Sequence, residues 1–182
     1  MHFDLDPVPG ASFQKVLEVA LLVRDTLSEL KMPSFVKTSG GKGMHIYVPI
    51  VRGPLQKQVW SVAKAIAHLL EKKRPKLVTT VYRVADRPRG HVLVDYNQNA
   101  WGRTLASVYS VRPMPQASVS APVSWEEVEN GIKIEEFRID NMPERIRERG
   151  DLWKPLTGKR GRVDLKVYFN RVAQAQAANS NR

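Results

Sequence analysis

Cysteine is absent from this chain of 182 residues, which excludes disulfides and thiolate metal sites. Long apolar runs are missing too: no stretch reaches the roughly 18 residues of a membrane span. The chain opens MHFDLDP instead of with a basic run and an apolar core, so a cytoplasmic protein is expected rather than a secreted one. Acids are scarce relative to bases, with 18 Asp and Glu against 29 Lys and Arg, a net charge of +11. That excess points to partners that carry phosphate, because clustered cations displace counterions from nucleic acid. The length suffices to bury a core without staples, and the absence of an internal repeat favours a single globular domain.

Hydrophobic periodicity lays out the elements. Phe3 and Leu5 alternate with His2, Asp4 and Asp6, the two-residue period of a strand stopped by Pro7, Pro9 and Gly10. From a Ser12 N-cap, Val16, Ala20, Val23, Leu27 and Leu30 recur at helical spacing up to Pro33. Residues 34–38 and 44–50 read as the arms of a hairpin around a turn, Ser39-Gly40-Gly41-Lys42-Gly43. Gly53 and Pro54 open a second helix with Val59, Val62, Ile66, Leu69 and Leu70 on one face. Residues 91–96 and 104–109 read as further strands, Ser124 and Glu127 as a capping box, and Pro143 and Gly150 as the brackets of a short charged helix. The region 76–90 has no clear period. Residues 1–156 are expected to form the core and 157–182 a basic, flexible tail.

Three features carry chemistry. Asp4 and Asp6 point the same way from one strand, roughly 6.6 Å apart by the strand rise, so their carboxylates can share or bridge divalent metals. Asp95, at the end of another strand, offers a third. The turn 39–43, preceded by Thr38, gathers hydroxyls, backbone amides and an ammonium group, which suits a triphosphate. It is not a P-loop, which opens a helix, whereas a strand follows here. His45 shares a face with Tyr47 just beyond it. Gln98, Arg103 and Arg112 are weaker candidates, a guanidinium being suited to neutralising a transferring phosphate. The basic cluster Lys72, Lys73, Arg74 and Lys76 can touch DNA or merely satisfy a helix end, and Trp101, Trp125 and Trp153 can stack on bases or pack into the core.

The strings FDLDP, FVKTSGGKGMHIYVPI, HVLVDYNQNAWGRTLASVYSVRP, PVSWEEV and MPERIRERGDLW together resemble the polymerase domain of end-joining DNA repair proteins, often fused within ligase D, of the archaeo-eukaryotic primase superfamily. The resemblance runs from Phe3 to Trp153. It implies an α/β (α+β) primase-like core, a mostly antiparallel sheet with packed helices. It implies that Asp4, Asp6 and Asp95 bind two Mn²⁺ or Mg²⁺ ions as the catalytic acids. Ser39, Lys42 and His45 would serve the triphosphate and the nearby metal, and Gln98 and Arg112 would line the nucleotide site. Family members carry a substantial region before FDLDP, whereas two residues precede Phe3 here. A shortened domain is therefore expected, with an exposed sheet edge and a reduced grip on DNA ends.

The expected function is two-metal nucleotidyl transfer to DNA ends or gaps in non-homologous end joining. Nucleoside triphosphates, ribonucleotides among them, would be the substrates, with Ku and a DNA ligase as partners and the nucleoid as the location. Two alternatives remain. A non-catalytic nucleic-acid-binding remnant would use only the positive charge. A phosphohydrolase of the haloacid dehalogenase type would use Asp4 as nucleophile and Asp6 as general acid, although that motif continues Gly-Thr where this chain has Pro7-Val8.

Overall fold

The structure, a computed structural model, describes residues 1–158 and 160–169. Its centre is a six-stranded sheet made of β1 (His2–Pro7), β2 (Phe35–Thr38), β3 (Met44–Tyr47), β4 (Val78–Thr79), β5 (Val92–Asp95) and β6 (Pro122–Val123), in the order β4-β5-β1-β3-β2-β6. Every pairing is antiparallel except the parallel β4–β5 edge, so the mostly antiparallel primase-like sheet is present. Alternation sorts the two faces. Phe3, Leu5, Val36, Met44, Ile46, Val92 and Val94 fall on one face, each 2% exposed or less, and form the core with the helices. The other face carries Asp4, Asp6, Lys37, His45 and Asp95.

Helix α1 (Phe13–Glu29) begins as expected, with Ser12 Oγ accepting from the Lys15 amide, and buries Val16, Ala20, Val23 and Leu27 beneath β1. Helix α2 (Gln56–Lys73) buries Val62, Ile66 and Leu70 beside it. Burying a side chain of this size contributes about 1.5–3 kcal/mol, so this apolar layer is the main stabilising element of the sheet. The Ser124–Glu127 capping box opens α3 (Trp125–Asn130), and Pro143 lies in the first turn of α4 (Met142–Arg149), followed by α5 (Lys154–Thr157). No helix among the described residues is long and apolar enough to cross a membrane.

Four expectations change. Residues 104–109 form no strand: Tyr109 sits at φ 61, outside extended backbone, and the segment instead arches over the polar face. The exposed edge is absent among the described residues, because the sheet ends on both sides in buried two-residue strands. The expected tail is not loose over its described part. Val163 exchanges backbone hydrogen bonds with Pro49 and Val51, and Leu165 is fully buried. The remainder of that tail, 170–182, lies outside the described residues. In the basic cluster, Lys73 pairs with Glu29 and Arg74 with Glu18, which ties α2 to α1.

Candidate active site

Strand register builds the site. Asp4 on the central strand β1 stands opposite Asp95 of β5 on one side and His45 of β3 on the other, and His45 stands opposite Lys37 of β2. Directly paired residues point to the same face, so Asp95, Asp4, His45 and Lys37 form one row across four strands. Asp6 lies two residues along β1 on the same face. Above this row opens a cavity of about 450 Å³ lined by Asp4, Asp6, Ser39, Lys42, His45, Gln98 and Arg112 together with residues 104–106. Seven of the eight site residues that the resemblance implies therefore meet in one cavity, whereas Arg103 is exposed and donates to the Tyr82 hydroxyl. The eighth, Asp95, joins it through its pairing with Asp4.

The acids are crowded and dry. Asp4 and Asp95 are only 8% and 7% exposed, which corrects any picture of solvated carboxylates at strand ends. Burial, and then the charges of Asp4 and Asp95, push the Asp6 carboxyl up to about 6. Burial also raises Asp95, although its Oδ1 accepts from the Asn97 amide at 2.7 Å. His45 Nε2 lies 3.2 Å from Asp4 Oδ1, but their angle leaves that oxygen without a hydrogen bond. A buried carboxylate oxygen with no donor costs free energy unless something positive meets it. Hard oxygen donors of this kind suit Mg²⁺ or Mn²⁺, so the acids fit divalent ions in chemistry. Among the described residues, however, no three His, Asp or Glu side chains converge tightly enough to cage one ion.

The glycine turn supplies the opposite charge. Ser39 Oγ accepts from the amides of both Gly41 and Gly43 at 3.1 Å, so these two amides fold the turn inward and are not free for phosphate. The side-chain phosphate donors around this turn are the Ser39 hydroxyl, the Lys42 ammonium and the Arg112 guanidinium. The latter two groups form no ion pair among the described residues. Two glycines are required by contact. At Gly40, φ is +70 and a Cβ would come within 2.5 Å of Arg112 Cγ. At Gly43 it would sit 2.1 Å from the Leu5 carbonyl oxygen, so the turn rests directly against β1.

Two residues of the site escaped the sequence reading. Lys37 is 1% exposed, and its ammonium donates to Ala106 O at 3.0 Å and to Ser120 Oγ at 2.5 Å. It thereby ties the 104–106 wall of the cavity to the sheet, while burial lowers its pKa to about 8. In FVKT it looked like an ordinary strand lysine; its parity with His45 across the hairpin was the available signal. Arg87 donates to the carbonyls of Val81 and Tyr82, and its charge partly offsets the upward shifts of Asp6 and Asp95. Of the three tryptophans considered for stacking, Trp125 donates to Ser34 O and Trp153 packs edge-on to Tyr47 with ring centres 5.0 Å apart. Trp101 alone among these three is exposed.

Comparison with known proteins bears on the domain as a whole. The family model described as "LigD, primase-polymerase domain" matches residues 1–153. The multifunctional non-homologous end joining protein LigD of Mycolicibacterium smegmatis is 34% identical over 154 residues, 85% of this chain and 20% of that protein. Its Pseudomonas aeruginosa counterpart is 35% identical over 166 residues, 90% of this chain and 20% of that protein. The chain thus spans about a fifth of the length of these relatives. Among solved structures, the polymerase domain of Mycobacterium tuberculosis ligase D in complex with DNA superposes with a TM-score of 0.80 at 34% identity, covering 86% of this chain and 54% of that one.

Proposed function

Since this chain belongs to the LigD primase-polymerase family, we propose that its cavity performs templated nucleotidyl transfer, adding nucleotides to DNA ends or gaps in non-homologous end joining. The observation that carries this reading is the make-up of one cavity. The carboxylates of Asp4 and Asp6, with Asp95 paired beside them, face the same space as the Ser39 hydroxyl, the Lys42 ammonium and the Arg112 guanidinium. A nucleoside triphosphate with a primer 3′-hydroxyl needs both: acids to hold metal and cations to meet phosphate.

Asp4, Asp6 and Asp95 would hold two divalent ions, Mn²⁺ or Mg²⁺, which when bound supply Lewis acidity toward the attacking hydroxyl and the departing pyrophosphate. The chain's own groups do the rest. Lys42 and Arg112 neutralise charge on the outer phosphates, and the Ser39 hydroxyl donates to a phosphate oxygen while its lone pairs hold the turn. His45 keeps its place between the acids and Lys37, within reach of a phosphate. Gln98, whose amide lies 3.5 Å from Asp95 Oδ2, borders the nucleotide on the far wall. Ribonucleotides are included among the substrates, Ku and a DNA ligase are the partners, and the setting is the cytoplasm at the nucleoid. The family assignment displaces the phosphohydrolase reading, which rested on FDLD alone.

The test is incorporation of a labelled nucleotide opposite a template base in a gapped duplex, with Mn²⁺ and without it. Metal-dependent, template-directed extension that disappears in Asp4→Ala/Asp6→Ala is expected. Wild-type protein that binds DNA but never extends it would leave the non-catalytic binding role in its place.

A further inference from the structure

Trp101 is 89% exposed, an indole surrendered to water on a chain that buries most of its aromatic surface. It lines a cleft of about 280 Å³ together with Trp60, Ala100, Gln56 and Lys57, separate from the acidic cavity. Trp60 is held in place on its inner side: its Nε1 donates to Asn97 Oδ1 at 3.1 Å, and its ring meets Tyr96 edge-on at 5.5 Å. Lys64 Nζ stands 5.1 Å from the centre of the Trp60 ring. The cleft therefore offers one fixed indole, one exposed indole and ammonium groups at its rim.

The two stretches of sequence that supply the cleft carry charge of one sign. Between Glu29 and Glu71 the sequence contains no Asp or Glu, and it contains Lys31, Lys37, Lys42, Arg52, Lys57 and Lys64. Between Asp95 and Glu126 there is again no acid, while Arg103 and Arg112 are present. Both walls of the cleft come from these two stretches. The nearest acid along α2, Glu71, is taken up by hydrogen bonds from Thr80.

A short turn joins the cleft to the site. Asn97 accepts from Trp60 with its side chain and donates from its backbone to Asp95, and Gln98 lines the acidic cavity. A chain of planar rings linked by phosphates matches both features, rings to indoles and phosphates to lysines. A paired duplex keeps its base faces stacked internally and cannot present them, whereas an unpaired strand can.

We propose that the Trp60–Trp101 cleft binds an unpaired nucleotide of single-stranded DNA, its base stacked on Trp101 and its phosphate drawn to Lys57. The assignment of the strand as DNA beside the acidic cavity rests on the polymerase reading above. The stacking site itself rests on the exposed indole, the paired indole and the one-sided charge.

Fluorescence anisotropy with labelled oligo(dT) and a labelled blunt duplex, free of divalent metal, tests it on the full chain. Trp101→Ala should weaken oligo(dT) binding about tenfold, the order seen for losing one stacked base. Trp101→Phe should restore most of the affinity, and blunt-duplex binding should hardly change in either variant. Oligo(dT) affinity unchanged in Trp101→Ala, or lost equally for both DNAs, overturns the proposal. Circular dichroism melting confirms that the exposed substitution leaves the fold intact. Wild-type primer extension is measured in parallel: its absence with Trp101-dependent oligo(dT) binding retained would remove the polymerase reading and leave the stacking site standing.

Discussion

Asp4 and Asp95 face each other as direct partners on neighbouring antiparallel strands, both buried and both acidic. Like charges opposite one another on a sheet repel, and here water is too sparse to screen them. The fold carries this conflict at the centre of its sheet, where a divalent cation would relieve it.

Replacing one member of the pair should therefore separate stability from ligand binding. Asp95→Asn keeps an oxygen to accept from the Asn97 amide and removes the charge. In metal-free buffer at pH 7.5 it should raise stability by up to about 1 kcal/mol, or about 2–4 °C in melting temperature for a chain of this size. Mn²⁺ affinity, measured by calorimetry, should fall steeply in the same variant. A lower melting point with unchanged Mn²⁺ affinity would show that the pair is neither strained nor a metal site.

Lys37 makes a prediction in alkaline solution. Burial lowers its pKa to about 8 from an ordinary 10.5, so between those values the unfolded chain binds the proton and the folded chain has released it. Stability contributed at this position must then rise with pH across that window. Tyr47, pushed up to about 12 by burial and by Asp4, acts in the opposite direction above pH 10. Urea midpoints of wild type and Lys37→Met, taken from pH 7 to 10, isolate the lysine: the wild type should gain on the variant as pH rises. Parallel curves would mean that the ammonium is not confined as described.

Lys42→Ala should weaken nucleoside triphosphate binding by about 1.5–3 kcal/mol, the range for a hydrogen bond to a charged group. Mn²⁺ affinity should stay nearly intact, because an ammonium group is no metal ligand and all three carboxylates remain. Isothermal titration with each ligand checks both halves, and equal triphosphate affinity in the two proteins would return the turn to a purely structural part.

Gly43→Ala tests how closely the turn is seated. Its added Cβ would meet the Leu5 carbonyl at 2.1 Å, a backbone atom that cannot swing aside. A loss of at least about 1–3 kcal/mol, the usual cost of overpacking, is expected from chemical denaturation. The same substitution at Gly41, where a Cβ would make only ordinary contact with Ser39 Oγ at 3.5 Å, serves as the comparison.

The parts of this molecule that were legible in the sequence are those governed by a local period. The β1 alternation, the α1 and α2 stripes and the Ser124 capping box each follow from neighbours a few residues apart, and so does the hairpin around Ser39–Gly43. Edge strands β4 and β6 are two residues long, too short to show a period. Thr104–Tyr109 alternates like a strand but pairs only at its end, where the Tyr109 amide donates to Ser120 O, while its Ala106 carbonyl accepts from the Lys37 ammonium. Site residues were found by resemblance and by chemical type. The burial of Asp4, the inward-facing glycine amides and the role of Lys37 depend on register between distant strands, which no local pattern records.

The central position of β1 also sets a timetable for the chain's own synthesis. Asp4 pairs with Asp95, 91 residues later, and with His45 on its other side. At about 5–20 residues per second, the ribosome takes several seconds to deliver β5 after β1 has left it. During that interval Phe3 and Leu5, fully buried in the finished sheet, have their neighbour on one flank missing. Contacts this distant in sequence also slow the final collapse relative to helical domains. The strand that holds two of the acids thus stays open on one flank until β5 is made, so a nascent chain is vulnerable to aggregation at the very segment on which its chemistry depends.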